Sequence, residues 1–212
     1  MTMTKATLSR RDFGYLFLAG GLLALAYPLF RRSGGVVALQ RGDSLRPTPS
    51  NSLGPFYRAG APRTEKLSEA NQSGMRLLVS GRVIDTSGQP VPAAVLEVFH
   101  ADQEGEYDMK GYRCRGVVPV AASGEYRYET VMPGGYGGRA QHIHYRISVP
   151  DRRGLITQLY FETDPKFGGN PDQNFERDRL IEHRELIRPV SDLVKNGQTY
   201  RAVTFDICLP RA

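Results

Sequence analysis

His142-Ile-His144 sets two imidazoles two residues apart, three residues beyond Arg139 and six beyond Tyr136. In an extended strand, residues i and i+2 point to the same face. The H-x-H pair therefore aims both rings at one point, which is half of a metal site. Two glycine-flanked tyrosines lie upstream, Tyr107 in GEYD and Tyr136 in GGYGGR. Two imidazoles with two phenolates offer nitrogen together with hard anionic oxygen. Such a set suits a trivalent, oxygen-preferring ion such as Fe(III) better than zinc, which takes thiolates, imidazoles and carboxylates.

The elements that must position these residues read as short strands separated by turns. The pattern predicts strands over Leu77–Ile84, Ala93–His100, Glu125–Val131, His142–Val149, Leu155–Glu162 and Tyr200–Leu209, with DTSGQP at 85–90 as a turn. Closely spaced strands without long intervening helices imply an antiparallel sandwich. A short helix is predicted over Phe175–Ile187, inside a long insertion before the last strand. The fold class expected is all-β, an antiparallel β-sandwich with long loops and an N-terminal arm, preceded by an export signal. Its organisation is a leader over 1–34, an arm over 35–75 and the sandwich over 76–212. No internal repeat or low-complexity tract interrupts this plan.

The chain from about Leu53 to Asp164 resembles the intradiol ring-cleavage dioxygenases, non-haem Fe(III) enzymes that open catechols between the two hydroxyls. The resemblance rests on SLGPFY at 52–57, SGRVIDTSGQPVPAAVLEVFHADQEGEYD at 80–108 and YRCRGVV at 112–118. It continues through SGEYRYETVMPGGYGGRAQHIHYRI at 123–147 and ITQLYFETD at 156–164. It implies Fe(III) held by Tyr107, Tyr136, His142 and His144, with Tyr136 as the tyrosinate that departs when substrate binds. It implies Arg139 as a fixed cation beside the ring and Gln158, sixteen residues after His142, as a hydrogen-bonding partner. The implied partners are a small aromatic diol and O2, the implied product is a cis,cis-muconate, and no organic cofactor is needed. A homo-oligomer is the corresponding expectation for quaternary structure.

Three departures from the best-known branches stand out. Only five residues separate Tyr136 from His142, where those enzymes carry a longer loop that helps to form the substrate pocket. No long helical segment precedes the sandwich pattern, so the helical dimerisation domain of catechol 1,2-dioxygenases is expected to be missing. The third departure is the leader. Ser9-Arg10-Arg11-Asp12-Phe13 precedes an almost uncharged stretch to Phe30, which reads as a twin-arginine export signal. The alternative is a retained membrane anchor, since eighteen apolar residues just cross a bilayer core. The expected location is outside the cytoplasm: periplasmic, secreted or anchored, after passage through the twin-arginine machinery.

The leader also explains the charge. Residues 1–32 hold Lys5, Arg10, Arg11, Arg31 and Arg32 against Asp12, a net +4 out of +6 for the whole chain. The remainder is nearly neutral and gives no support to nucleic-acid binding. Cys114 and Cys208 are too far apart in sequence for a C-x-x-C site; outside the cytoplasm a disulfide between them is as consistent with the sequence as two free thiols.

Plainer readings exist for each residue. His100, in VFHADQEGEY, suits a pocket-lining place rather than a ligand, His183 a solvated face, and Tyr126 and Tyr128 packing. GRVIDTSGQPVPAAVLEVFH at 81–100 also resembles the opening hairpin of transthyretin-like sandwiches, so an exported, non-catalytic binding or structural module is the alternative function. Copper or zinc at the same site is disfavoured by two phenolates and the lack of a cysteine or carboxylate there.

Overall fold

A computed structural model describes residues 45–69, 71–150 and 152–211. The leader, and with it the export-signal and anchor expectations, lies outside the described residues; none of their helices is long and apolar enough to cross a membrane. Among the described residues, ten strands form two five-stranded sheets. They are β1 (Arg76–Asp85), β2 (Val95–Phe99), β3 (Arg115–Val118), β4 (Glu125–Val131), β5 (His142–Val149) and β6 (Arg152–Phe161). A short helix α1 (Pro171–Arg177) follows, then β7 (Ile187–Arg188), β8 (Ser191–Lys195), β9 (Gln198–Thr204) and β10 (Ile207–Leu209).

One sheet runs β3-β2-β5-β6-β7; in the other, β1 is flanked by β10 and β9, with β8 beyond β9 and β4 also paired to β1. The sheets are mixed rather than purely antiparallel, because β1 pairs in parallel with β9 and β10, and β6 in parallel with β7. The cause is topological. The insertion after β6 returns the chain to start β7 alongside β6, and the closing strands run beside β1 in its own direction.

Alternation builds the core between the sheets. Leu96 and Val98 of β2, with Ile143, Tyr145 and Ile147 of β5, join one apolar cluster with Val79 of β1, Tyr128 of β4 and Val203 of β9. The Tyr128 and Tyr145 hydroxyls meet at 2.5 Å across the sandwich, satisfying two buried phenols at once. Tyr126 donates to the Phe205 carbonyl at 2.5 Å. Both tyrosines are packing residues, as their sequence setting implied. Since Ile143 and Tyr145 face the core, His142 and His144 must face away from it.

That outward face is covered by the arm. Thr48, Asn51, Thr64 and Leu67 each donate a backbone N–H, to Cys208, Ile156, Val117 and Glu129 respectively, so residues 45–69 cross the sandwich without forming a strand of their own. Several elements differ from the strand pattern: the two-residue β7 was not expected, and the single strand expected over Tyr200–Leu209 is two, β9 and β10. The short β3 and the polar, exposed β8 show too little apolar alternation to be seen. The helix begins earlier than expected and ends sooner. Asn170 caps it by accepting from the Asp172 and Gln173 amides, Pro171 occupies its first turn, and Asp178 is already extended.

Both cysteines are free. Cys114, beside Gln72, precedes β3 in one sheet, whereas Cys208 lies in β10 of the other.

Candidate metal centre

The register of β5 with its two neighbours creates the site. His144 stands opposite Phe99 of β2 and Gln158 of β6, and His142 opposite Tyr160 of β6. Residues paired across strands share a face, so two imidazoles, an amide, a phenol and an aromatic ring meet on the outer face of one sheet. Phe99 lies flat against the His144 ring, with centroids 4.5 Å apart and planes 2° from parallel. From the arm, Gly54 sits close enough to His144 that an added Cβ would come within 3.1 Å of the ring.

Tyr107 and Tyr136 reach the same place from two loops. The Tyr107 hydroxyl lies 3.0 Å from His144 Nε2, 3.5 Å from His142 Nε2 and 3.4 Å from the Tyr136 hydroxyl. The Tyr136 hydroxyl is 3.5 Å from His142 Nε2, and the two Nε2 atoms are 3.1 Å apart. Five of the six donor pairs thus fall within 3.5 Å, the separation expected for donors that share one centre at about 2 Å. All four residues singled out by spacing and resemblance come together.

Several features fit this set to a cation. The Ala140 carbonyl lies 2.6 Å from His142 Nδ1. A carbonyl only accepts, so Nδ1 carries the proton and Nε2 presents its lone pair to the cluster. Burial, reinforced for His142 by Arg139 and for His144 by His142 itself, pushes both imidazoles below their ordinary value, His142 to about 4. Both imidazoles are therefore neutral at neutral pH. Burial, then the neighbouring Tyr136 hydroxyl, raises the Tyr107 pKa, so a phenolate there requires a positive charge within the cluster. Among the described residues no group of three or more His, Cys, Asp or Glu converges as a metal site, so a four-donor set at this place includes the two phenols.

Arg139 and Gln158 form a second layer beside the donors. Arg139 Nη2 donates to Gln158 Oε1 at 3.0 Å and to the Tyr160 hydroxyl at 2.8 Å, and Tyr160 donates to Gln158 Oε1 at 2.6 Å. Gln158 Nε2 donates to the Ser52 carbonyl at 2.6 Å. The SLGPFY stretch therefore serves the site from above. Ser52 fixes Gln158, Gly54 admits His144, and Phe56 stacks on Tyr107 at 4.2 Å with planes 14° apart.

Other histidines stay apart from the cluster. His100 is fully buried, with Nδ1 2.6 Å from the Ala101 carbonyl and Nε2 2.8 Å from Thr130 Oγ1, so both nitrogens are spent elsewhere. His183 is exposed at the start of a 3-10 turn. Sequence spacing missed Tyr160 and Asp178. Tyr160 was detectable as the residue two beyond Gln158 on one strand face, but Asp178 arrives from the insertion and carried no signal.

Comparison with known proteins identifies the family of the chain. The family model described as "Dioxygenase" matches residues 53–211. A chlorocatechol 1,2-dioxygenase from Rhodococcus opacus is 31% identical over 192 residues, covering 76% of this chain and 72% of that protein. A catechol 1,2-dioxygenase from a Pseudomonas species is 32% identical over 145 residues, 56% of this chain and 48% of that one; the chain spans about half the length of several such relatives. Among solved structures, the dioxygenase domain of a dioxygenase carbohydrate-binding protein fusion from the cellulolytic Streptomyces sp. SirexAA-E is 31% identical. Its TM-score is 0.65, with 79% of this chain and all of that chain covered.

Proposed function

We infer that this chain, which belongs to the intradiol ring-cleavage dioxygenase family, binds Fe(III) through Tyr107, Tyr136, His142 and His144 and uses O2 to open a catecholic ring. The observation that carries the reading is the convergence of four donors, five of whose six pairs lie 3.0–3.5 Å apart, beside the Arg139–Gln158 pair. The overall change breaks the bond between the two hydroxyl-bearing carbons and leaves one atom of O2 on each, so a catechol and O2 give a cis,cis-muconic acid with nothing left over. When bound, the ferric ion supplies Lewis acidity and a template for the diol.

The chain's own residues do the rest. The fixed His142 tautomer keeps Nε2 free to ligate. Tyr136 suits the role of the donor that leaves its place and accepts a substrate hydroxyl proton. It sits in a loop where Gly137 and Gly138 have positive φ and no side-chain neighbours, whereas Tyr107 is pinned under Phe56. Arg139, 14% exposed, offers a positive charge where anionic character develops on the ring. Gln158 holds the guanidinium and is itself held by Ser52, so the pair is oriented before substrate arrives.

The short Tyr136–His142 connection, where the best-known branches carry a longer pocket-forming loop, supports a more open site and catechols carrying larger substituents than catechol itself. The paired arginines of the leader support export by the twin-arginine route, with retention by an uncleaved anchor as the variant of it. Together with a matched domain that belongs to a fusion from a cellulolytic bacterium, they support aromatic diols derived from plant material, met outside the cytoplasm. A homo-oligomer is proposed by family analogy alone. The transthyretin-like module loses its support, because such a module has no use for the four-donor cluster.

Oxygen uptake by purified, iron-loaded protein with catechol, protocatechuate and hydroxyquinol tests the reading. One O2 consumed per ring, with a muconate-type absorbance, is expected. Iron-loaded, red-brown protein that consumes no O2 with any of these or with a lignin-derived catechol overturns it.

A further inference from the structure

Arg139 has little to hold it locally. It ends a turn in which Gly137 and Gly138 both take positive φ, and its own amide is tied only to the Tyr136 carbonyl at 2.7 Å. A long side chain on such a turn loses substantial rotamer freedom when ordered. Something outside the turn must supply the order.

Asp178 does so. Its carboxylate, 2% exposed, accepts from Arg139 Nε at 3.1 Å through Oδ1 and 3.0 Å through Oδ2. Oδ2 also accepts from the Ala140 amide at 2.8 Å, and Oδ1 from the Leu180 amide at 3.0 Å. One carboxylate thus grips the guanidinium, the peptide that follows it and the segment that delivers the carboxylate. With Nε held by Asp178 and Nη2 by Gln158 and Tyr160, Nη1 has no hydrogen-bond partner among the described residues. A buried pair of this kind adds little net stability but fixes geometry.

We propose that Asp178, delivered by the segment after α1, is the positioning residue for Arg139, clamping the guanidinium so that Nη1 is left for the substrate. The inference rests on the ring-cleavage reading above. Asp178 makes no hydrogen bond to any of the four donors; its effect on the reaction runs through Arg139, while its bonds to the Ala140 and Leu180 amides anchor the carboxylate. The insertion between β6 and β7, which belongs to neither sheet, is thereby part of the reaction machinery.

Asp178→Asn keeps the size and one oxygen for the Ala140 amide while weakening the grip on Nε. In the iron-loaded full chain, iron content and tyrosinate-to-iron colour should match the parent. The kcat should fall by about 100-fold, the loss expected of a misplaced group. In an Arg139→Gln background the same change should cost less than about twofold, because the residue it acts through is gone. Independently of activity, the Arg139 Nε–H resonance of 15N-arginine-labelled protein, assigned by its loss in Arg139→Lys, should be protected from solvent exchange in the parent and lose that protection in Asp178→Asn. Multiplying losses in the double variant, loss of iron, or unchanged Nε–H exchange each overturn the proposal. A parent chain that opens no catechol ring overturns the ring-cleavage reading and the catalytic half of this one, and the exchange experiment then decides the positioning half alone.

Discussion

Gly54 of the arm lies against the His144 ring, so near that a Cβ on the glycine would stand 3.1 Å from the ring Cε1, and its φ is +72°. Two constraints coincide at one residue. A left-handed backbone costs an L side chain about 1–2 kcal/mol, and here the added methyl would also press on a proposed ligand. Gly54→Ala should therefore lower the thermal midpoint and, beyond that, weaken iron retention, read as metal content after dialysis against a chelator. Unchanged iron with an unchanged midpoint would show that the arm does not seat the imidazole.

The four donors differ from the other histidines in what their removal should do. Tyr107→Phe and His142→Ala should each abolish iron retention and the red-brown colour, since each removes a donor that the other three cannot replace. His183→Ala, at an exposed turn, should leave iron, colour and turnover as they were. Metal analysis and a visible spectrum on the three proteins settle the matter; equal losses at His183 would remove the basis for the donor set.

Much of this site was legible in the sequence because strand alternation translates directly into geometry. Alternation alone put His142 and His144 on one face, whereas Gln158 came in through the family resemblance, and the structure sets it opposite His144. Tyr107 and Tyr136 lie in loops, where no periodicity applies, and only their motif context brought them in. Asp178 was invisible for a different reason. The helix pattern over 175–187 suggested a solvated face, whereas the helix stops at Arg177 and the next residue turns inward to a partner 39 positions earlier. The parallel pairing of β9 and β10 with β1 escaped notice because alternation reveals a strand's faces and says nothing about its direction.

The cysteines give a simple check of the fold. Cys114 and Cys208 are both buried and unpaired, one beside Gln72 and the other in β10. Unreduced protein should show no fast thiol reaction when native and two reactive thiols per chain after denaturation. One or none would mean that the strands near residues 114 and 208 come closer than this arrangement allows.

His100 links stability to pH without taking part in the metal cluster. It is fully buried, and burial lowers its pKa from 6.5 to about 4. A group whose folded pKa is depressed binds its proton more readily when unfolded, so its contribution is intact above pH 6.5 and declines as the pH falls toward 4. A shift of this size corresponds to about 3 kcal/mol across that window. Iron-free protein should lose stability to urea between pH 6.5 and 4. His100→Gln, weaker at pH 7 because Thr130 and Ala101 lose their partner, should show a shallower decline over the same range. Parallel curves for the two proteins would mean that His100 titrates normally and is not sealed between Ala101 and Thr130.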